Sequence, residues 1–252
     1  MNTATINKIK QEIIRFALEI LPREYSLEEL KRAFPFHSIF FTDEGLKAFK
    51  IQRTLVTKMG MQLYPKIAYL IAMDKYRKVY REKTIEGVVD EGMVQKADRI
   101  VDELRKGKRK PNASQEWEEI KSSVSGRMIK IKVKADLYIE DYHDGPLFME
   151  IKSPRPNLDV CAESKRKLLY FKIISYHLNP QAKPQAYLAF PYNPYIRREG
   201  YSHRFTAQIM DMENEVLIGE EMWDKIGGKG TFDELLEIID QVKKELRIIR
   251  RK

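Results

Sequence analysis

Three residues of this chain could act together on a phosphate ester: Asp136, Glu150 and Lys152. Glu150 and Lys152 stand two apart in Leu147-Phe148-Met149-Glu150-Ile151-Lys152, which reads as a β-strand. Strand parity sends their side chains to one face, while Met149 and Ile151 turn the other way, into a core. Asp136 lies in a second strand-like stretch, Lys134 to Glu140, and the turn signal Asp144-Gly145 folds the two stretches together. Charge set among apolar strand residues is costly unless it is paired or metal-bound. Two carboxylates suit Mg²⁺, a hard cation that takes oxygen ligands and keeps several waters. Such an ion polarises a phosphodiester and acidifies water. A lysine beside it can orient that water, assist its deprotonation, or stabilise the charge that develops on phosphorus. Asp136 and Glu150 are therefore the candidate metal ligands, and with Lys152 they form a candidate catalytic group. The plainer alternative is a surface Glu and Lys pair on an edge strand, a common device against aggregation.

The elements that must position these residues can be read from periodicity. Ile6, Ile9, Ile13, Phe16, Ala17, Ile20 and Leu21 recur at helical spacing and end at Pro22. Ser26-Leu27-Glu28-Glu29 is a capping box. Further helices are expected from about Asp43 to Met59, from Pro65 to about Arg81, from Met93 to Leu104, and around Gln115 to Lys121. Strand character runs from Met128 to Val133, where apolar and basic residues alternate, and resumes at Leu137 to Ile139. Leu147 to Lys152 is the next strand, stopped by Pro154 and Pro156. A helix over Val160 to Leu178, a buried strand over Gln185 to Phe190 and one more strand over Phe205 to Met210 follow, then a capped helix from Thr231. Helices first, then strands and helices in alternation, give an α/β layered fold with a helical N-terminal part over residues 1–110. The basic loop Arg105 to Asn112 is the best internal boundary, with 111–252 as the remainder; one continuous domain is the other arrangement.

Asp136, thirteen intervening residues and Glu150-Ile151-Lys152 resemble the PD-(D/E)XK nuclease signature, with Ala135 where that superfamily's optional proline would stand. The helix and strand after Lys152 match the superfamily's core order. The resemblance implies a central mixed sheet flanked by helices, a restriction-endonuclease-like core. A narrower resemblance covers about Ala135 to Tyr170. Glu150 to Asn157, followed by Ala162-Glu163-Ser164-Lys165-Arg166-Lys167, is similar to the TdeIII/MjaII group of type II restriction endonucleases. That likeness implies Mg²⁺-dependent cleavage of double-stranded DNA at GGNCC-type sites and a cognate DNA methyltransferase. A palindromic site with two scissile bonds asks for two copies of the chain, hence a homodimer. Two other readings stand beside it: a DNA-repair or junction-resolving nuclease of the same superfamily, and a DNA-binding module without catalysis.

Many nucleases of that superfamily carry a further acidic residue on a helix before the first strand; Glu119, Glu86 and Glu91 are the candidates here, against a plain solvated role. Arg155 and Asn157 follow the candidate catalytic strand, and Lys165 and Arg166 open the next helix. These could read guanine edges in the major groove, or simply meet phosphates beside a proline-stiffened turn. Arg197 and Arg198 lie in an aromatic and basic loop, Pro191 to His203, that could clamp a DNA backbone or serve only as packing. Gly227 to Thr231 lacks the spacing of a phosphate loop and reads as a helix lead-in. The four histidines show no zinc spacing.

The whole chain agrees with a polyanionic partner. Its 46 basic residues against 37 acidic ones give a net charge of +9, and each phosphate neutralised by Lys or Arg releases counterions. With 43% hydrophobic residues it can bury a core. No apolar run is long enough for a membrane span, and the polar N-terminus does not read as a signal peptide. The single cysteine, Cys161, excludes an intramolecular disulfide, so the cytoplasm is the expected compartment.

Overall fold

Helical periodicity at the start of the chain produces α1 (Thr3–Ile20), which buries Ile9, Phe16 and Ile20. The computed structural model describes residues 1–20, 25–143 and 145–249; Leu21, Pro22 and Asp144 of the expected helix end and turn lie outside the described residues. Ser26 caps α2 (Leu27–Ala33) by accepting from the Glu29 amide, and Thr42 caps α3 (Asp43–Lys58) in the same way. One wide helical turn, Met59–Leu63, joins α3 without a break to α4 (Tyr64–Met73), where Pro65 occupies the first turn.

The chain then departs from the sequence expectation. The fourth helix stops at Met73 rather than near Arg81, and residues 79–90 form a long strand, β1 (Val79–Asp90). This strand is the sheet's edge. Its run Arg81-Glu82-Lys83-Thr84 faces solvent too much to show an apolar alternation, and such charges keep an edge from pairing with other chains. Asp90 ends β1 and caps α5 (Glu91–Arg105), accepting from the Gly92 amide. Asn112 caps α6 (Ala113–Lys121). The two expected strand pieces after it are one strand, β2 (Met128–Ile139), followed by β3 (Leu147–Ile151), α7 (Leu158–Leu178) and β4 (Gln185–Phe190). The expected strand over Phe205 to Met210 is instead α8 (Arg204–Ile209), capped by the His203 ring. A six-residue apolar run does not distinguish the two periodicities, and the cap decides it. The chain closes with β5 (Val216–Ile218), α9 (Glu220–Gly227) and α10 (Thr231–Ile249).

The five strands lie in the order β1-β2-β3-β4-β5. The first two neighbour pairs are antiparallel and the last two parallel. Helices cover both faces. On one side α5 and α7 enclose a core with Ile100, Leu104, Phe148, Leu168 and Phe171; on the other α1, α4, α9 and α10 enclose Ile9, Ile71, Leu147, Met149 and Trp223. This is an α/β fold with a mixed central sheet flanked by helices, of restriction-endonuclease-like type. Because β1 precedes residue 110 and β2 follows it, the sheet draws on both sides of the basic loop. Among the described residues no helix is long and apolar enough to cross a membrane.

One irregularity positions the site. Along β1 and β2 the register is constant, but Glu82 and Asp136, which would face each other, are left out of the pairing. Glu82 has φ 49°, a left-handed value that a strand residue other than glycine rarely takes. The strands rotate there: Val133 and Ala135 belong to the α7 side of the sheet, whereas Leu137 and Ile139 belong to the α1 and α4 side. Asp136 sits at the point of rotation.

Candidate active site

Asp136, Glu150 and Lys152 converge at the rotated segment of β2 and the end of β3. Lys152 Nζ lies 3.0 Å from Asp136 Oδ2 and 2.7 Å from Glu150 Oε1. The Ile151 amide donates to Asp136 Oδ2 at 2.8 Å, so β3 backbone fixes the β2 carboxylate. Met149 and Ile151 enter the core on the α1 and α4 side, as strand parity requires. Glu150 is only 1% exposed, whereas Asp136 and Lys152 are 25% and 30% exposed. The cluster therefore has a buried floor and a wet mouth. Burial works against the Lys152 cation, but Glu150 and Asp136 outweigh it and raise its pKa above the ordinary lysine value.

A fourth group completes the cluster. Lys167, on α7, places Nζ 2.8 Å from the same Glu150 Oε1 that receives Lys152. Glu150 Oε2 is buried and has no hydrogen-bond partner among the described residues. A buried carboxylate oxygen without a partner is costly and calls for a cation or a donor. The cluster opens into a cleft of about 520 Å³ lined by Lys134, Asp136, Lys152, Lys167 and Glu82, with Thr57, Gly60 and Met61 from the α3 end as its opposite wall. Neither Lys167 nor Glu82 was identifiable from the D…ExK spacing. Lys167 comes from a helix packed below the sheet, and Glu82 from the strand that periodicity did not reveal. The one available signal was the basic stretch Lys165-Arg166-Lys167 within α7.

The donor set fits a divalent cation of the hard type. Asp136 and Glu150 supply carboxylate oxygens, one of them unpartnered, and Mg²⁺ is ordinarily held by one or two carboxylates, with waters and substrate phosphate completing the shell. Among the described residues no group of three or more His, Cys, Asp or Glu is placed to hold a metal.

The three acidic candidates for an additional ligand are engaged elsewhere. Glu86 lies on β1, paired with Lys130; Glu91 opens α5 and meets Arg127; Glu119 on α6 is held by Arg109 and Lys96, which lower its pKa to about 2. Helix and strand geometry directs each to another partner, and none lines the cleft.

The candidate DNA contacts divide sharply. Lys165 must be withdrawn: it is fully buried, with Nζ 2.5 Å from both Glu116 Oε2 and Glu215 Oε2, and these carboxylates raise its pKa against the effect of burial. Arg166 remains partly exposed, held by Asp98 and Glu163. Asn157 is exposed, but its side chain caps α7 by accepting from the Val160 amide. Arg155 is exposed and lies over the Tyr195 ring, 5.0 Å from its centroid. In the loop after β4, Arg197 is exposed, whereas Arg198 is tied to Glu221 and to the Met212 carbonyl. Tyr201 donates to the Pro154 carbonyl at 2.5 Å, binding this loop to the segment that follows Lys152. Gly227 to Thr231 is the junction of α9 and α10, where Asp224 accepts from the Gly230 and Phe232 amides, as a helix lead-in requires.

Comparison with known proteins places this arrangement in context. The chain is 31% identical to the type II restriction enzyme HgiEI of Herpetosiphon aurantiacus, over 96% of this chain and 94% of that protein. It is 30% identical to HgiBI of the same organism over the same shares. It is 29% identical to the type II restriction enzyme MjaII of Methanocaldococcus jannaschii, over 95% of this chain and 70% of that protein. The likeness to MjaII bears out the resemblance read from the residues after Glu150. No solved structure matches the chain. The family model described as "Type II restriction endonuclease, HinfI" matches residues 1–243, nearly the whole sequence, and the chain belongs to that family.

Proposed function

We propose that this protein is a Mg²⁺-dependent type II restriction endonuclease of the PD-(D/E)XK kind, which hydrolyses both strands of duplex DNA at a short palindromic site. The observation that carries this reading is the meeting of Asp136, Glu150 and Lys152 at one cleft, with Glu150 Oε2 buried and without a partner. Asp136 and Glu150 are the residues that would hold Mg²⁺. Bound there, the ion supplies Lewis acidity toward the scissile phosphate and lowers the pKa of water.

The remaining work falls to the chain itself. Glu150, fixed at the floor, and Asp136, held by the Ile151 amide, keep their geometry without further reorganisation. Lys152, already a cation, is placed at the wet mouth to orient water and to donate to a phosphoryl oxygen as negative charge grows. The wall from the α3 end helps to exclude bulk solvent from the opposite side. The target is of GGNCC type, as the resemblance to the TdeIII/MjaII group implies. Two equivalent half-sites call for a homodimer, and a host carrying the enzyme needs a cognate DNA methyltransferase.

The test is plasmid cleavage followed by sequencing of the fragment ends. Discrete fragments, formed with Mg²⁺ and abolished by chelator, with ends in one symmetric sequence context, are expected. Intact plasmid across a range of divalent cations, or cutting confined to branched DNA, would contradict the proposal.

A further inference from the structure

The nuclease reading leaves the alternating apolar and basic start of β2 without a task. Three observations give it one. First, β2 pairs with β1 from Met128 to Ile139, Asp136 excepted, but with β3 only through Leu137 to Ile139. The other edge of its first half therefore has no strand partner among the described residues. Second, a groove of about 400 Å³ runs beside that open edge. It is lined by Lys132 and Lys134 of β2, Arg166 and Lys167 of α7, and Thr84 and Tyr170, with Glu163 as its single carboxylate. Arg166 holds both Glu163 and Asp98, so these charges largely cancel and the groove's positive charge comes from its lysines. Third, Lys134 and Lys167 line this groove and the active-site cleft alike, so the two are continuous.

We infer that this groove is a phosphate track: it holds the backbone of the DNA strand beside the scissile bond and delivers that bond to Asp136 and Glu150. Lys132 and Lys134 stand two residues apart on β2, about 6.6 Å in an extended strand, and Asp136 follows them at the rotated segment. That step is close to the spacing of successive phosphates along a nucleic-acid strand. Lys132 is exposed, and no ion pair or hydrogen bond of its side chain occurs among the described residues, so it can meet a phosphate without first giving up a partner. An added protein strand at the same edge would face a row of lysines, which disfavours it.

Lys167 stands where track and cleft meet. Asp136, Glu150, Lys152 and Lys167 together carry no net charge. A divalent cation held by the two carboxylates would make the cluster +2, enough to offset a doubly charged phosphoryl group. Without Lys167 the balance is one charge short. Lys167 is thus suited to turn from Glu150 to the phosphate next to the scissile one.

The inference rests on the nuclease reading, and the test separates the two. Affinity for a short duplex of arbitrary sequence is measured with chelator present, against rising KCl. Each phosphate contact removed should lower the slope of log affinity against log salt by about 0.9. Lys132→Ala should lose about that much, and Lys243→Ala on α10 should leave the slope unchanged; with Ca²⁺ in place of chelator, Lys167→Met should also lose about that much, whereas Lys167→Arg should keep the parent slope. Lys132 is exposed, so Lys132→Ala carries the test even where Lys167→Met does not fold. A folded Lys132→Ala with the parent slope, or with no more effect than Lys243→Ala, overturns the track. A parent protein that neither binds nor cuts duplex DNA overturns the nuclease reading instead.

Discussion

Glu150 is the residue on which the charges of the cleft converge, and its surroundings explain why two lysines are needed. At 1% exposure its carboxylate has little water to solvate it, and Lys152 and Lys167 together hold Oε1 while Oε2 stays open. Lys165, two residues earlier than Lys167 on α7, shows the opposite use of the same side chain. Its cation is sealed between Glu116 and Glu215 and joins α7 to α6 and to the residue before β5. Lys165→Met should therefore destabilise the fold by about 3–5 kcal/mol, because it leaves two buried carboxylates unpaired. Urea unfolding would measure this, and adding Glu116→Gln and Glu215→Gln should recover part of the loss. Unchanged stability with weakened DNA binding would restore Lys165 to the DNA surface. At this scale the sequence shows Asp136, Glu150 and Lys152 because strand parity and a short turn bring near neighbours together. It does not separate Lys165 from Lys167, since both lie in one basic stretch and only the packing of α7 buries one and turns the other to the cleft.

The elements that make the site are the long β1 and β2 pair and the helix packed beneath it. The rotation at Glu82 and Asp136 lets β2 serve two cores in succession and turns one carboxylate to the cleft. A left-handed residue other than glycine costs about 1–2 kcal/mol. Glu82→Gly should accordingly be more stable than Glu82→Ala by roughly 1 kcal/mol, because both lose the Lys134 ion pair and only glycine relieves the backbone. Equal denaturation midpoints would mean that the rotation carries no strain. Elements with an apolar stripe, such as α5 and α10, were legible from spacing alone. β1 was not, because an edge strand covered with Arg, Glu and Lys has no inward alternation to read. The stretch over Phe205 to Met210 failed for the reverse reason: it is apolar and short, and its type is decided by His203, a cap outside the usual set.

For the whole molecule, the lysine-lined groove and the cleft between the α3 end and the sheet meet at Lys134 and Lys167. The cap that joins β1 to α5 also governs behaviour in acid. Burial opposes the charge on Asp90, but hydrogen bonds from the Ser125, Gly126 and Gly92 amides and from the Ser125 hydroxyl overcome it and bring its pKa down to about 2. Glu119, held by Arg109 and Lys96, also falls to about 2. Both carboxyls take up a proton less readily in the folded chain than in the unfolded one. Their contribution is therefore complete above the unfolded values of 3.8 and 4.5 and is lost as pH falls toward about 2. Urea midpoints taken across that window should drop, and Asp90→Asn should flatten the drop; an unaltered slope would show that other carboxyls dominate.

Asp136, Glu150 and Lys152 are proposed to cut DNA rather than to hold the fold or bind the duplex. Single-turnover cleavage and duplex affinity measured on the same Asp136→Ala protein distinguish these roles. Removing one such group should slow cleavage by about 10²-fold or more, with duplex affinity and the circular dichroism spectrum close to the parent's. Cleavage at the parent rate by a folded Asp136→Ala protein would contradict the account.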